Sequence, residues 1–143
     1  MTNPHLAEDL ALKKFVTVPL EQKPNYNWRG LIAEDDRVRP GIRVVCPHGE
    51  ENFDLAEVTD TIGRALTNVL LSREEKSEIF SEANRVWVGA VARTVADALS
   101  ERAATEKPAR ITLAELYTLI EAKLVEHRAW EVAKSILIHR SRK

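Results

Sequence analysis

Apolar residues recur at helical spacing through most of the chain after residue 54. Stripes that repeat every three or four residues are typical of helices that bury one face. The pattern therefore predicts about four helices around one core. The predicted core positions are Val58, Ile62, Ala65, Leu66, Val69 and Leu70 in the first helix; Ile79, Ala83, Val86, Trp87, Ala90 and Val91 in the second; Leu113, Leu116, Ile120 and Leu124 in the third; and Trp130, Ala133, Ile136 and Leu137 in the fourth.

Three of the predicted helices begin with a possible capping box. In this motif a Ser, Thr or Asp oxygen accepts from an early helix amide, while a Glu three residues later reaches back to the cap. The polar segment 103–110, which contains Pro108, lacks an apolar stripe and predicts a loop. The three pairs are Asp54 with Glu57, Ser72 with Glu75, and Thr112 with Glu115.

Residues 42–46 are rich in β-branched side chains and are followed by the turn sequence Pro47, His48 and Gly49. This combination predicts one strand of a small hairpin, in which Gly49 supplies a positive φ at little cost. The predicted fold class is therefore mainly α, with a small β hairpin as a cap on a bundle of about four helices.

The first 40 residues differ from the rest, because four prolines interrupt them and only residues 6–15 have the spacing of a short helix. We predict an irregular N-terminal arm at 1–40 and a helical domain at 41–143. Tyr26 and Trp28 predict that the arm lies on a surface, which belongs either to this chain or to a partner.

The amino-acid composition of the chain disfavours several classes of function. The 143 residues are 44% hydrophobic and 30% charged, as in an ordinary globular protein of about one domain. The 21 basic and 22 acidic side chains nearly cancel, which disfavours binding to nucleic acid or to an anionic membrane. No apolar run is long enough for a membrane span, and no secretory signal is recognisable, so we expect a cytoplasmic protein.

Candidate chemistry is sparse. The single Cys46 excludes an intrachain disulfide and a multi-cysteine zinc ribbon. Cys46 and His48 alone are a weak metal signal, so no metal site is predicted. Since no catalytic constellation stands out, we expect a regulatory or binding domain and not an enzyme.

The end of the chain carries a family resemblance. The residues concerned are Ile111, Thr112, Glu115, Leu116, Leu119, Ile120 and Glu121, and the run WEVAKSILIHR that starts at Trp130. They resemble the C-terminal half of an ATP-cone, the nucleotide-sensing module of ribonucleotide reductases. Gly49, Phe53, Asp54 and Val58 are similar to the β cap of that family, so the resemblance covers about 44–143.

The resemblance implies a short β cap followed by helices, with ATP or dATP, with or without Mg²⁺, held between them. It implies seven nucleotide-binding residues, some of which also have a plainer role. Asp54 is also a helix N-cap, Val58 and Leu113 are also core residues, and the basic C-terminus also suits the end of a helix. The implied residues are Asp54 for a ribose hydroxyl or base amine, Val45, Val58 and Leu113 as apolar walls, Tyr117 as a stacking ring, and Arg140 and Lys143 as cations.

Two hypotheses follow. The chain is a nucleotide sensor that controls activity through oligomeric state, as a homo-oligomer or with a ribonucleotide reductase subunit. Alternatively, it is a degenerate cone that has become a protein-interaction domain, aided by the aromatic arm. The second hypothesis rests on departures from the family pattern: Cys46 and Pro47 replace a Lys-Arg pair that contacts phosphates, and Glu57 replaces a lysine. Nucleic-acid binding through Arg140, Arg142 and Lys143 is disfavoured by the balanced charge.

Overall fold

The computed structural model describes residues 26–141, apart from the side chain of Lys76. The predicted helix at 6–15 and the predicted ligand Lys143 lie outside these residues. Over the described range the chain is mainly helical, with four α-helices and a small three-stranded sheet. The elements are β1 (Val38–Cys46), β2 (Gly49–Asp54), α1 (Leu55–Ser72), α2 (Glu82–Ala103), β3 (Ala109–Thr112), α3 (Leu113–Glu126) and α4 (Trp130–Ser141), with single 3-10 turns at Arg29–Leu31, Glu34–Asp36 and Lys76–Glu78.

The sheet has the order β2-β1-β3. Strands β1 and β2 form the predicted antiparallel hairpin, and Gly49 closes its turn with a φ of 143°. Strand β3 pairs in parallel with β1, so that Val44 lies beside Ile111. The loop prediction for 103–110 is therefore wrong at its end, because Ala109 is buried in β3. A strand of four residues is too short for its alternation to stand out in the sequence.

Helix α1 follows the prediction. All six residues of its predicted apolar stripe are buried. Asp54 is its N-cap and accepts from the backbone N of Ala56 at 2.9 Å. Glu57 does not complete the predicted capping box, because its carboxylate accepts instead from the guanidinium of Arg29.

The predicted start of α2 is wrong. Ser72 is the last residue of α1, and α2 begins at Glu82, where the hydroxyl of Ser81 accepts from the backbone N of Asn84 at 3.2 Å. The predicted core stripe is also wrong at Ala83, Val86 and Ala90, which are exposed, Val86 by 66%. The buried residues of α2 are Val88, Val91, Ala92, Val95, Ala96 and Leu99.

Helix α3 has the predicted capping box between Thr112 and Glu115, with both reciprocal hydrogen bonds present. Its predicted stripe is buried except at Leu113, which is half-buried. In α4 the prediction is wrong for Trp130 and Leu137, which are 62% and 47% exposed. Apolar residues recur at helical spacing on two faces of α4. The buried face comprises Val132, Ala133, Ser135 and Ile136, and the polar Ser135 makes that face harder to recognise in the sequence.

Trp28 anchors the segment before β1. Its side chain is 1% exposed and lies against Gly63 of α1. The ring of Phe80, just before α2, meets Trp28 edge-on at 4.8 Å and stacks on Tyr26 at 5.1 Å between centroids. The surface under Trp28 therefore belongs to this chain. The division of the chain at residue 40 stays a prediction.

We predict that Gly63→Ala destabilises the protein, because a Cβ there would lie 2.2 Å from carbon atoms of the Trp28 ring. Forced overpacking of this kind costs about 1–3 kcal/mol. The matched control is Gly89→Ala in α2, where a Cβ would meet nothing within 4 Å. That change gains up to about 1 kcal/mol from helix propensity. Urea denaturation of both variants checks the prediction, and equal stabilities would contradict it.

Candidate functional site

The residues predicted to bind nucleotide are distributed over the sheet and the bundle. Asp54, at the end of β2, is opposite Val38, whereas Val45 is opposite Glu50. Glu50 and Asp54 are four residues apart in β2, which corresponds to about 14 Å along the strand. The Asp54 carboxylate also caps α1. Asp54 and Val45 therefore lie at opposite ends of the hairpin.

Val45 and Val58 are on different sides of the sheet. Val44 is buried against the bundle, and successive strand residues point to opposite faces, so Val45 faces outward. Val58 is 2% exposed in the core of the bundle. The structure does not bring these two predicted walls together, and Val58 has its plainer role as a core residue.

Three predicted residues do come together where α3 packs on α4. Leu113 and Tyr117 are both half-buried, one helical turn apart at the start of α3. The guanidinium carbon of Arg140, near the end of α4, is 5.9 Å from the centroid of the Tyr117 ring, which is a cation-π contact. Arg140 also donates to the backbone O of Ala114 at 3.1 Å. We call Leu113, Tyr117, Glu121 and Arg140 the Tyr117 cluster.

Glu121 supplies the negative charge of the Tyr117 cluster. Its Oε2 is 3.1 Å from Nε of Arg140, and its Oε1 accepts from Nη2 at 3.3 Å. The Glu121 side chain is only 17% exposed, and its burial raises the pKa of the carboxyl group while Arg140 opposes that change. Because Arg140 already has this partner, the cluster has no net charge to offer an anion.

A second ionic group lies at the start of α1. The Arg29 guanidinium donates to both carboxylate oxygens of Glu57, at 2.9 and 3.0 Å, and its Nη2 is 3.2 Å from Asp60. Arg64 approaches the same oxygen of Asp60 at 2.9 Å. The hydrogen bonds from Arg29 lower the pKa of Glu57. The carboxylate of Glu57 is thus neutralised by a cation from the segment before β1.

The tip of the hairpin holds Cys46 and His48. Burial raises the pKa of the Cys46 thiol, with a further contribution from Glu51, so the reactive thiolate is disfavoured. His48 is 3.8 Å from Glu51. Between residues 26 and 141 no group of three or more His, Cys, Asp and Glu side chains could hold a metal ion. No helix in that range is long and apolar enough to cross a membrane.

A groove of about 340 Å³ lies at the end of the bundle away from the sheet. It is formed by the end of α1, the start of α2 and the start of α4, and we call it the far-end groove. The sequence pattern does not predict this groove, because Trp87 and Trp130 fall on the predicted core stripes. Two tryptophans at helix starts, beside polar turns, were the available signal. The groove is lined chiefly by Leu66, Leu70, Arg73, Trp87, Arg128 and Trp130.

Comparison with known proteins gives no relative: no protein-family model, curated protein or solved structure matches the chain. The ATP-cone resemblance therefore rests on the residues of the chain alone.

We predict that Glu57→Gln destabilises the protein at pH 7 and does so less in acid. The folded-state pKa of Glu57 is lowered, chiefly by hydrogen bonds from Arg29. The resulting stability is present above the unfolded pKa of about 4.3 and is lost as the pH falls through the folded value. Urea midpoints of wild type and variant should differ at neutral pH, and the difference should shrink as the pH falls below about 4.3.

The control is Glu101→Gln, at an exposed carboxylate of α2. This variant should follow wild type at every pH. A gap between wild type and Glu57→Gln that is the same in neutral and acidic solution would contradict the role assigned to Arg29.

Proposed function

We propose that this chain is a regulatory nucleotide-sensing module of the ATP-cone kind and not itself an enzyme. It takes ATP or dATP, with or without Mg²⁺, and controls activity through its state of assembly, alone or with a ribonucleotide reductase subunit. The observation that carries the proposal is the order of the elements. A β hairpin precedes α1 and α2. Helix α3, at the start of the segment that resembles an ATP-cone, has a complete capping box at Thr112 and Glu115.

The Tyr117 cluster supports the adenine and phosphate contacts of this proposal. Adenine stacks on the half-exposed ring of Tyr117, beside Leu113, and Arg140 turns toward the phosphates. To do so, Arg140 exchanges the carboxylate of Glu121 for a phosphate oxygen. The raised pKa of Glu121 favours this exchange, since a buried carboxyl group that loses its cation is least costly when protonated.

A second candidate is a protein-interaction domain that no longer binds nucleotide. Two observations favour it. Glu57, in place of a family lysine, already has Arg29 as its cation, and the far-end groove lies at the end of the bundle opposite the proposed nucleotide site. Trp28 does not contribute to this second candidate function, because its buried side chain cannot contact a partner.

The test is thermal unfolding of the full chain with ATP, dATP and Mg²⁺, together with sedimentation velocity on the same samples. A ligand at 100 times its Kd stabilises the folded state by about 2.7 kcal/mol, so a millimolar nucleotide should raise the Tm. Tyr117→Ala should abolish that rise. Val125→Ala, a truncation at an exposed position of the same helix, should retain it.

A Tm that is unchanged by either nucleotide, together with unchanged sedimentation, would refute the sensor and leave the interaction domain. A Tm rise that survives Tyr117→Ala would keep nucleotide binding but remove it from the Tyr117 cluster.

A further inference from the structure

We propose that the far-end groove is the surface through which two copies of this chain pair, with Trp130 of each copy inserted into the groove of the other. This inference goes beyond nucleotide sensing, and nothing in it requires a nucleotide.

A recess and a projecting side chain lie side by side on this surface. The groove measures about 340 Å³, and Trp130, on its rim at the start of α4, is 62% exposed. Trp side chains bury about 150–250 Å² in cores and interfaces. When a projection and a recess adjoin on one surface, a two-fold axis between copies satisfies both contacts at once, and the assembly closes as a dimer.

The floor of the groove is apolar. Leu66 and Leu70 of α1 form it, and the half-buried Trp87 of α2 is one wall. Val86, the residue before Trp87 in α2, is also apolar and is 66% exposed. Aromatic side chains at the centre of a contact, within a polar rim, are the typical anchors of protein interfaces.

The charges of the rim favour a second copy over a strongly charged partner. Arg73 is ion-paired with Glu131 at the groove, and the exposed Arg128 in the α3–α4 turn also lines it. An isologous contact sets a surface against itself, so a rim of one sign would repel its copy. This rim carries both signs, and the whole chain has a net charge of only −1.

The available area predicts a weak dimer. Four helices, each about 10–12 Å across, present about 500 Å² in projection at their end, and the walls of the groove add to this. A standard interface buries about 800 Å² on each partner. Since the contact lies at or below that size, we expect a dissociation constant in the micromolar range or above.

The experiment is sedimentation equilibrium of the full chain without nucleotide, from about 1 µM to about 500 µM, where contacts of this size associate. Wild type should shift from monomer to dimer within this range. Trp130→Glu should weaken dimerisation at least tenfold, because it sets a carboxylate in an apolar recess. Val86→Glu should also weaken dimerisation.

The matched control is Leu137→Glu, which places the same charge at the other exposed apolar residue of α4, two turns away. It should dimerise like wild type. Circular dichroism melts of all three variants verify the fold, which the exposure of the three positions should preserve. A wild type that stays monomeric, a Trp130→Glu variant that dimerises normally, or a Leu137→Glu variant that loses the dimer would overturn the proposal. Because no nucleotide is present, none of these results bears on the sensor.

Discussion

Two strands that lie far apart in the chain pair in parallel, with Ile42 and Val44 of β1 beside Ala109 and Ile111 of β3. Parallel neighbours need a long crossover, and here that crossover is the β2 hairpin strand followed by α1 and α2. The pairing also fixes where the second half of the chain begins, since Thr112 is both the last residue of β3 and the N-cap of α3. The packing of α3 and α4, and with it the Tyr117 cluster, follows from this one contact.

Local chemistry was sufficient to predict some elements. Thr112 and Asp54 cap helices through bonds made within three residues, and the stripe of α1 is long enough to define its buried face. The sequence could not predict β3, because its formation depends on pairing with a strand more than 60 residues earlier. At α2, Ser72 and Ser81 are both possible caps, and the local sequence does not distinguish between them. Of the residues predicted to bind nucleotide, Leu113, Tyr117 and Arg140 come together, whereas Val45 and Val58 lie on different sides of the sheet.

Two carboxylates show how the same chemical group takes opposite properties from its surroundings. Glu57 is largely exposed, and Arg29 stabilises its ionised form. Glu121 is mostly buried, and desolvation favours its protonated form in spite of Arg140. Acid therefore weakens the first ion pair at the cost of stability, whereas at the second it relieves an unfavourable buried charge. The ion pairs of Glu57 in α1 and Glu121 in α3 thus respond to pH in opposite directions.

The position of Trp28 has a practical consequence for dissecting the molecule. Its indole ring is among the largest fully buried side chains of the core, yet it precedes every strand and helix of the sheet and bundle. A fragment cut at the first residue of β1 would keep the three strands and four α-helices described above and still lack the side chain that covers Gly63. A unit that folds on its own must therefore retain Trp28, although this residue lies ahead of the first strand.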